Sequence, residues 1–381
     1  MLVSFRKIDW TIVAILFLFM IISSVLIYSA TYNTRFFSSH LYIKNILNYV
    51  LGFLVFFGMI LVDYRILLKT SLYSYLFGIL MLIAVYFFGV EINGARSWFE
   101  LPLGFNFQPA ELMKIILIVA IAKYISRKEG EHLELVRDIM PIGGIVLLPF
   151  MLVLIQPDLG NAIIYLVILV GMLWIGNIKY SYVLIGLAAF AAFLALFLFL
   201  YGAYHQQLYG FLEKHHSEHW MDRIDTFLHP ESVSNDDAYQ VNNAKIAIGS
   251  GELHGEGFLR GNSVHSRVPL PFSDSIFAVI GEEFGFIGSS VLLVLYFLLI
   301  YRLILTAIQC SDLSGAIIIF GIVSMFVFQI FENVGMLIGI MPLTGITLPF
   351  VSYGGTSVLI NMLSLGLVLS IKVHQEELPP F

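Results

Sequence analysis

The stretch YVLIGLAAFAAFLALFLFLYG, residues 182–202, carries no charged side chain and is followed at once by AYHQQLYGFLEKHHSEHWMDRID, residues 203–225. The first is long enough for a helix to cross the hydrocarbon of a bilayer, which takes about 20 apolar residues. The second opens the one long polar segment of the chain, 203–274, which holds seven of the ten histidines and ends on Asp274, where the next apolar run begins. A buried soluble core does not need so long an uninterrupted apolar run. The contrast therefore decides for a membrane protein with one large chemical loop.

Working outward, the composition agrees: 59% of the residues are hydrophobic and 12% charged, with a mean hydropathy of +0.89. Apolar runs place spans near 8–28, 44–62, 70–89, 108–125, 140–157, 159–176, 182–202, 275–302, 314–340 and 354–373. The expected fold is an all-α polytopic membrane protein, a single integral domain over 1–381 with about ten transmembrane helices. The large extracytoplasmic loop, 203–274, falls between helices 7 and 8. Every span is expected to be helical, because lipid offers no partner to an unpaired backbone group. The first span lacks a cleavage signature and reads as a retained anchor.

Orientation follows from the basic residues of the short loops. One side carries Arg6, Lys7, Arg65, Lys69, Lys123, Arg127, Lys128, Arg137, Lys179, Arg302 and Lys372; the other carries Arg35, Lys44 and Arg96. Both termini are thus expected in the cytoplasm, with the long loop outside. Trp10 and Trp174 fall at inner interfaces and Trp98 at an outer one. The net charge of −6 leaves no footprint for nucleic acid, and the single cysteine, Cys310, excludes a disulfide framework.

Ionisable residues inside spans are costly and mark function or pairing. Gln108-Pro109-Ala110-Glu111-Leu112-Met113-Lys114 puts Glu111 and Lys114 on one helix face, either as a neutralised ion pair or, with Arg96, as a grip for an anionic group. In Gln156-Pro157-Asp158-Leu159-Gly160, Asp158 suits a helix N-cap. Trp220, Ile224 and Phe227 share one face of a short surface helix, beside which Arg223 can reach lipid headgroups or water. His215, His216 and His219 have a spacing that can hold a metal, but no carboxylate–histidine motif surrounds them, and a solvated loop is the simpler reading. Gly249, Gly251, Gly255, Gly257 and Gly261 can cradle a phosphate or serve as turn chemistry; without a Gly-Lys-Ser/Thr ending they argue against ATP.

Two further clusters carry most weight. Pro269-Leu270-Pro271-Phe272-Ser273-Asp274-Ser275 leads into an apolar run containing Gly281-Glu282-Glu283-Phe284-Gly285. If the helix includes Asp274, Glu282 lies about 80° away on the wheel and roughly 12 Å deeper, so Glu282 rather than Glu283 shares its cavity. Gln329, Glu332 and Asn333 then precede Pro342-Leu343-Thr344-Gly345 and Ser352-Tyr353-Gly354-Gly355-Thr356, broken backbone that leads into a helix start and aims free amides at an anion.

Taken in order, these pieces resemble the SEDS (shape, elongation, division and sporulation) family, the RodA and FtsW proteins of bacteria. The pieces are Asn93-Gly94-Ala95, Gln108-Pro109-x-Glu111, Gln156-Pro157-Asp158-Leu159-Gly160, Trp220-x-x-Arg223-Ile224, Ala247-Ile248-Gly249-Ser250-Gly251, Ser273-Asp274, Gly281-Glu282-Glu283-x-Gly285 and Ser352-Tyr353-Gly354-Gly355. Several departures bear on Arg96 and on any second loop carboxylate but leave Asp274 intact: Leu270, Pro271 and Phe272 stand where the family has a proline–glutamate pair and a histidine. Ser97, not an arginine, precedes Trp98; Ala110 replaces a serine, Thr347 a proline and Thr356 a serine. Short cytoplasmic ends, Ser273-Asp274-Ser275-Ile276-Phe277 and Glu332-Asn333 lean the resemblance toward the RodA-like, elongation side.

The resemblance implies a peptidoglycan glycosyltransferase that polymerises lipid II at the outer face of the bacterial cytoplasmic (inner) membrane, working with a class B penicillin-binding protein. Asp274 aligns with the family's essential aspartate and is the expected catalytic residue. Arg96, Glu111, Lys114, Asp158, Arg223, Arg260, Glu282, Ser352, Tyr353 and Gly354 are the expected substrate-binding set, and Arg267 is a further cation near the loop's end. No cofactor or metal site is assigned; a divalent cation beside the pyrophosphate stays open. Two alternatives stand beside it: a lipid II flippase, which would use the same polar cavity and cations, and a non-catalytic scaffold of the cell-wall complex, which would need only helix surfaces for a partner and would tolerate loss of Asp274.

Overall fold

The computed structural model describes residues 7–32, 40–92, 95–102, 105–213, 219–228, 236–261 and 268–375. Four aspartates set where helices start, each accepting from a backbone amide of the first turn. Asp9 caps α1 (Trp10–Thr31) through Thr11 N at 3.2 Å, and Asp63 caps α3 (Tyr64–Phe88) through Arg65 N at 2.9 Å. Asp158 caps α6 (Leu159–Ile175) through Asn161 N at 3.1 Å, and Asp312 caps α11 (Leu313–Ile338) through Gly315 N at 3.2 Å. Pro109 opens α4 (Pro109–Ser126), where its missing N–H costs nothing. The remaining helices are α2 (Leu41–Leu61), α5 (Met140–Ile155), α7 (Tyr180–Glu213), α8 (His219–Leu228), α9 (Asp236–Ser250), α10 (Ile276–Ile308) and α12 (Gly355–His374). A π-helical turn, Leu135–Ile139, runs into α5.

Among the described residues, eight helices are long and apolar enough to cross a membrane: α1, α2, α3, the run through α5, α7, α10, α11 and α12. The chain is thus an α-helical polytopic membrane protein. Helix α6 is shorter, at 17 residues, and α4 carries Glu111, Lys114 and Lys123 within 18. In the bundle α11 packs on α4, α6 and α10, and α12 lies against α2. Helix α7 stands apart: none of its most apolar 18 residues is buried by protein.

Between α3 and α4 the described residues run mainly as strands. Strands β1 (Val90–Ile92), β2 (Ala95–Leu101) and β3 (Phe105–Phe107) form an antiparallel meander with Glu91 opposite Arg96 and Glu100 opposite Asn106. Among its described residues the large loop is mostly helical, since α7 runs on past residue 202 to Glu213 with a kink at Tyr204, and α8 and α9 follow. Tyr201 donates to Asp225 at 2.6 Å, and His205 Nε2 lies 2.9 Å from the same carboxylate, so α8 is tied to α7. On α8 the buried positions are Met221, Asp225 and Thr226, whereas Ile224 is half-buried and Phe227 exposed. Of the apolar face expected there, Phe227 points away from the protein and Ile224 is only partly covered; the Trp220 side chain lies outside the described residues.

The glycine-rich run is a close backbone contact rather than a phosphate cradle. Helix α10 breaks at Gly285 (φ 63°, ψ −158°), which frees two carbonyls and two amides inside the bundle. Glu256 N donates to Glu282 O at 2.8 Å and Gly257 N to Glu283 O at 3.1 Å; in return Phe286 N donates to Glu252 O at 2.9 Å and Ile287 N to Leu253 O at 3.1 Å. The two backbones approach so closely that a Cβ on Gly251 would lie 1.8 Å from Gly281 O.

A second break runs through 339–354, which has neither helix nor strand. Four of its carbonyls are taken up by buried side chains from four helices. Asn333 of α11 donates to Ile346 O at 2.7 Å, Ser23 of α1 to Val351 O at 2.8 Å, Tyr296 of α10 to Pro349 O and Tyr49 of α2 to Phe350 O. Irregular backbone at this depth is tolerated only when protein satisfies it in this way.

The glycine contact is open to a direct test. Gly251→Ala is expected to cost about 3 kcal/mol or more, because backbone cannot yield to a methyl group. Gly249→Ala, in α9 with nothing within 4 Å of its Cβ, is expected to be neutral or stabilising by up to about 1 kcal/mol. Thermal unfolding of the detergent-solubilised protein separates the two.

Candidate active site

Asp274 lies two residues ahead of α10, whose cap is Ser275, so the wheel that relates Asp274 to Glu282 does not extend across both. The aspartate is held from three sides. Asn333 Nδ2 donates to Asp274 O at 2.7 Å, and Gln240 Nε2 of α9 donates to Ser275 Oγ at 3.1 Å. Tyr353 N donates to Phe272 O at 2.9 Å, and the two rings meet edge-on at 5.9 Å. Its carboxylate is partly buried beside Gly345, where a Cβ would sit 3.9 Å from Oδ2. Burial pushes the Asp274 carboxyl above the ordinary carboxylate value. Hydrogen bonds from its own amide, the Gln240 side chain and Ser275 N, and the charge of Arg223, act the other way without cancelling the rise.

A second polar group sits where α4, α6 and α12 begin. Glu111 Oε1 and Lys114 Nζ are 2.8 Å apart, with the lysine wholly buried. Gln108 Nε2 donates to Asp158 Oδ2 at 2.7 Å, Asn161 Nδ2 to the same oxygen at 2.9 Å, and Thr356 Oγ1 accepts from Gln108 N at 3.1 Å. Asp158 lies in the turn between α5 and α6. Burial raises its pKa, the Asn161 hydrogen bonds lower it, the negative Glu111 raises it and Lys114 lowers it, with a net rise. Segment 344–346 joins the two groups: Gly345 faces Asp274, while a Cβ on Gly160, two residues past Asp158, would lie 3.3 Å from Thr344 O and 2.6 Å from Ile346 Cγ1.

The other expected residues divide. Ser352 is buried and its Oγ accepts from Leu348 N at 2.9 Å; Tyr353 and Gly354 follow, half-buried, at the head of α12. Arg223 is half-buried on α8 and acts on Asp274 through its charge. Arg96 is exposed on β2, and Arg260 is exposed with its side chain lying over Gly257. Glu282 is fully buried with Oε2 against Gly261, and Glu283 accepts from Leu259 N at 3.2 Å and from Ser29. Asn93, Gly94, His215, His216 and Arg267 lie outside the described residues, as does the His219 side chain. Among the described residues no three His, Cys, Asp or Glu side chains come together as a metal cluster.

The sequence reading missed Gln240, the second donor beside Asp274, and Lys245, whose Nζ packs where a Cβ of Gly339 would be, at the end of α11. It also passed over Ser23, Asn45 and Tyr49, although polar groups inside apolar spans were the available signal.

The model of the FtsW/RodA/SpoVE family of cell cycle proteins matches residues 7–377. The chain belongs to that family. Stage V sporulation protein E of Bacillus subtilis (strain 168) is 30% identical over 370 residues, 95% of this chain and 96% of its own. Peptidoglycan glycosyltransferase MrdB of Escherichia coli (strain K12) is 33% identical over 316 residues, 80% of this chain and 78% of its own. A chain from a peptidoglycan synthase complex, whose structure describes coordination of polymerization and crosslinking, superposes with a TM-score of 0.78 at 30% identity, covering 97% of this chain and 99% of that one. The Thermus thermophilus rod shape determining protein RodA superposes with a TM-score of 0.68 at 28% identity, covering 97% of this chain and 98% of its own.

The buried pair is separable from the family's chemistry by stability. Lys114→Met leaves Glu111 and Asp158 without their cation and is expected to cost about 3–5 kcal/mol. Adding Glu111→Gln should recover most of that loss. Equal thermal midpoints for wild type and the single variant would show that the pair is not what holds this end of the bundle.

Proposed function

We propose that this protein is a peptidoglycan glycosyltransferase that polymerises lipid II, with Asp274 as its general base. The observation that carries the reading is the placement of Asp274, a partly buried carboxylate ahead of α10, within a family match that runs through nearly the whole chain. In the reaction an acceptor sugar hydroxyl attacks the anomeric carbon of the donor. The bond to pyrophosphate breaks, and the hydroxyl proton passes to Asp274. A base whose pKa is lifted by burial is better matched to that proton than an ordinary aspartate. In this reading Arg223, whose charge reaches Asp274, and Lys114, held by Glu111, are the cations that would stabilise the leaving pyrophosphate. At the approach to α12 the amides of Ser352 and Tyr353 are held by Leu348 O and Phe272 O, which leaves the half-buried Tyr353 hydroxyl and Gly354 to meet headgroup oxygens.

The finer topology belongs to the same reading. Counting α4 and α6 with the eight longer helices makes ten spans, an even number that puts both termini on one side. Contacts support this sorting: Asp9 at the start of α1 meets Arg302 and Lys372 near the ends of α10 and α12, and Asp312 at the start of α11 accepts from Tyr64 of α3. The basic short loops mark that end as cytoplasmic, with α8, α9 and the Asp274 mouth outside the bacterial inner membrane. A class B penicillin-binding protein is the partner that this reading supplies for crosslinking.

The test is polymer formation from lipid II by the purified protein with its class B partner bound. Wild type is expected to make polymer, and a folded Asp274→Asn variant to be slower by about 10²–10⁴-fold, the scale of a lost general base. Polymer from neither, with the partner bound, would favour the flippase. The pH profile is a second check. Deprotonated Asp274 is the active form and its pKa is raised, so kcat should climb through an acid limb above the roughly 3.9 of a free aspartate. Arg223→Gln removes a positive charge that favours the anion and should move that limb to higher pH. A limb that stays in place at saturating substrate would disconnect Arg223 from Asp274.

A further inference from the structure

The Asp274 base reading leaves open what fixes the aspartate in place, and the structure assigns that role to Asn333. We propose that Asn333 is the positioning residue of the site, spending both hydrogens of one side-chain amide on the carbonyls of Asp274 and Ile346. This inference rests on the reading of Asp274 as base.

Asn333 is fully buried on α11, and its Nδ2 lies 2.7 Å from Asp274 O and 2.7 Å from Ile346 O. A primary amide has two N–H donors and two acceptors fill them, so the orientation of the group is forced: turned over, its oxygen would face two carbonyl oxygens. Asp274 precedes the first turn of α10, in which Ser275 O is already the acceptor for Ala278 N at 2.9 Å. Helix formation therefore does not fix the Asp274 peptide; Asn333 does. The same amide ties it to 344–346, the segment that also leans on Gly160 beside Asp158. The neighbouring Glu332 accepts from Thr344 Oγ1 at 3.0 Å, so adjacent residues of α11 grip both ends of that short segment. One side chain thus sets the spacing between the proposed base and the polar group at the heads of α4 and α6. Misplacing a reacting group by about 1 Å costs on the order of 10²-fold in rate.

The experiment measures kcat and KM for lipid II with the partner-bound protein carrying Asn333→Asp, which keeps the size but cannot donate to both carbonyls, since a carboxyl has no donor when ionised and one when protonated. Asn333→Ser, a smaller and more easily folded change with a single donor, is measured beside it. Tyr296→Phe is the structural control, because it removes a bond to Pro349 O in the same broken segment without touching Asp274. Asn333→Asp should lower kcat by about 10²-fold with KM within about threefold of wild type. Asn333→Ser should fall between, and Tyr296→Phe should stay within about threefold. Wild-type kcat in both Asn333 variants, while Asp274→Asn is inactive, would overturn the positioning role and leave the base reading standing. A loss in Tyr296→Phe as large as in the Asn333 variants would reduce Asn333 to a general prop of the segment, which also overturns it. Full activity of Asp274→Asn would remove the base reading and this inference with it.

Discussion

Backbone that leaves the helix inside an apolar bundle has to find partners there, and in this protein two such departures organise the rest. A carbonyl or amide left unpaired in a buried site costs about 1–3 kcal/mol, and more where lipid replaces water. The break at Gly285 is matched by residues 252–257, and the 339–354 segment is matched by Ser23, Tyr49, Tyr296 and Asn333 from four helices. That need accounts for polar side chains in helices that are otherwise apolar. It also transmits order to the site, since Asp274 is tied to the second break through Asn333 and through the Phe272–Tyr353 backbone bond.

The carboxylates at the two ends of the bundle show how placement divides structural from chemical work. Burial by itself raises the pKa of Asp9, but hydrogen bonds and charges from Lys372 and Arg302 outweigh it and hold the group below the ordinary range. Asp9 is a clamp, a permanent anion joining α1 to α10 and α12. Asp274 and Asp158 are the same residue type with the opposite outcome: burial leads, and the cations near them, Arg223 and Lys114, do not compensate. A carboxylate held poised to change protonation is suited to chemistry; one held ionised is suited to holding helices together.

Much of the fold was legible. Helices occur at all ten of the apolar runs, starting within a few residues of the expected positions except for α3, which opens six residues earlier at Tyr64. The short helix carrying Trp220, Ile224 and Phe227 was visible from its period. The strand meander and helix α9 were not: β1 and β3 have three residues each, β2 lacks a regular alternation of buried and exposed positions, and α9 mixes polar and apolar residues without a clean stripe. Of the site, Asp274, Asp158, Glu111 and Lys114 were legible as ionisable groups at the edges of apolar runs. The company of Asp274 was not: Gln240 resembles any polar loop residue, and Asn333 stood out in its cluster without any sign that Asp274 is its partner.

The sequence alone determined what hydropathy and local chemistry can encode: an α-helical membrane bundle, the aspartates that start its helices, and the carboxylate ahead of α10. Only the tertiary structure decided which groups meet. Ser23 reaches Val351 across 328 positions, Tyr49 reaches Phe350 across 301, and Asn333 joins Asp274 to Ile346. The physical reason is range. A helix follows from residues three and four apart, whereas the partner of a broken carbonyl is whichever donor the packed helices carry to it.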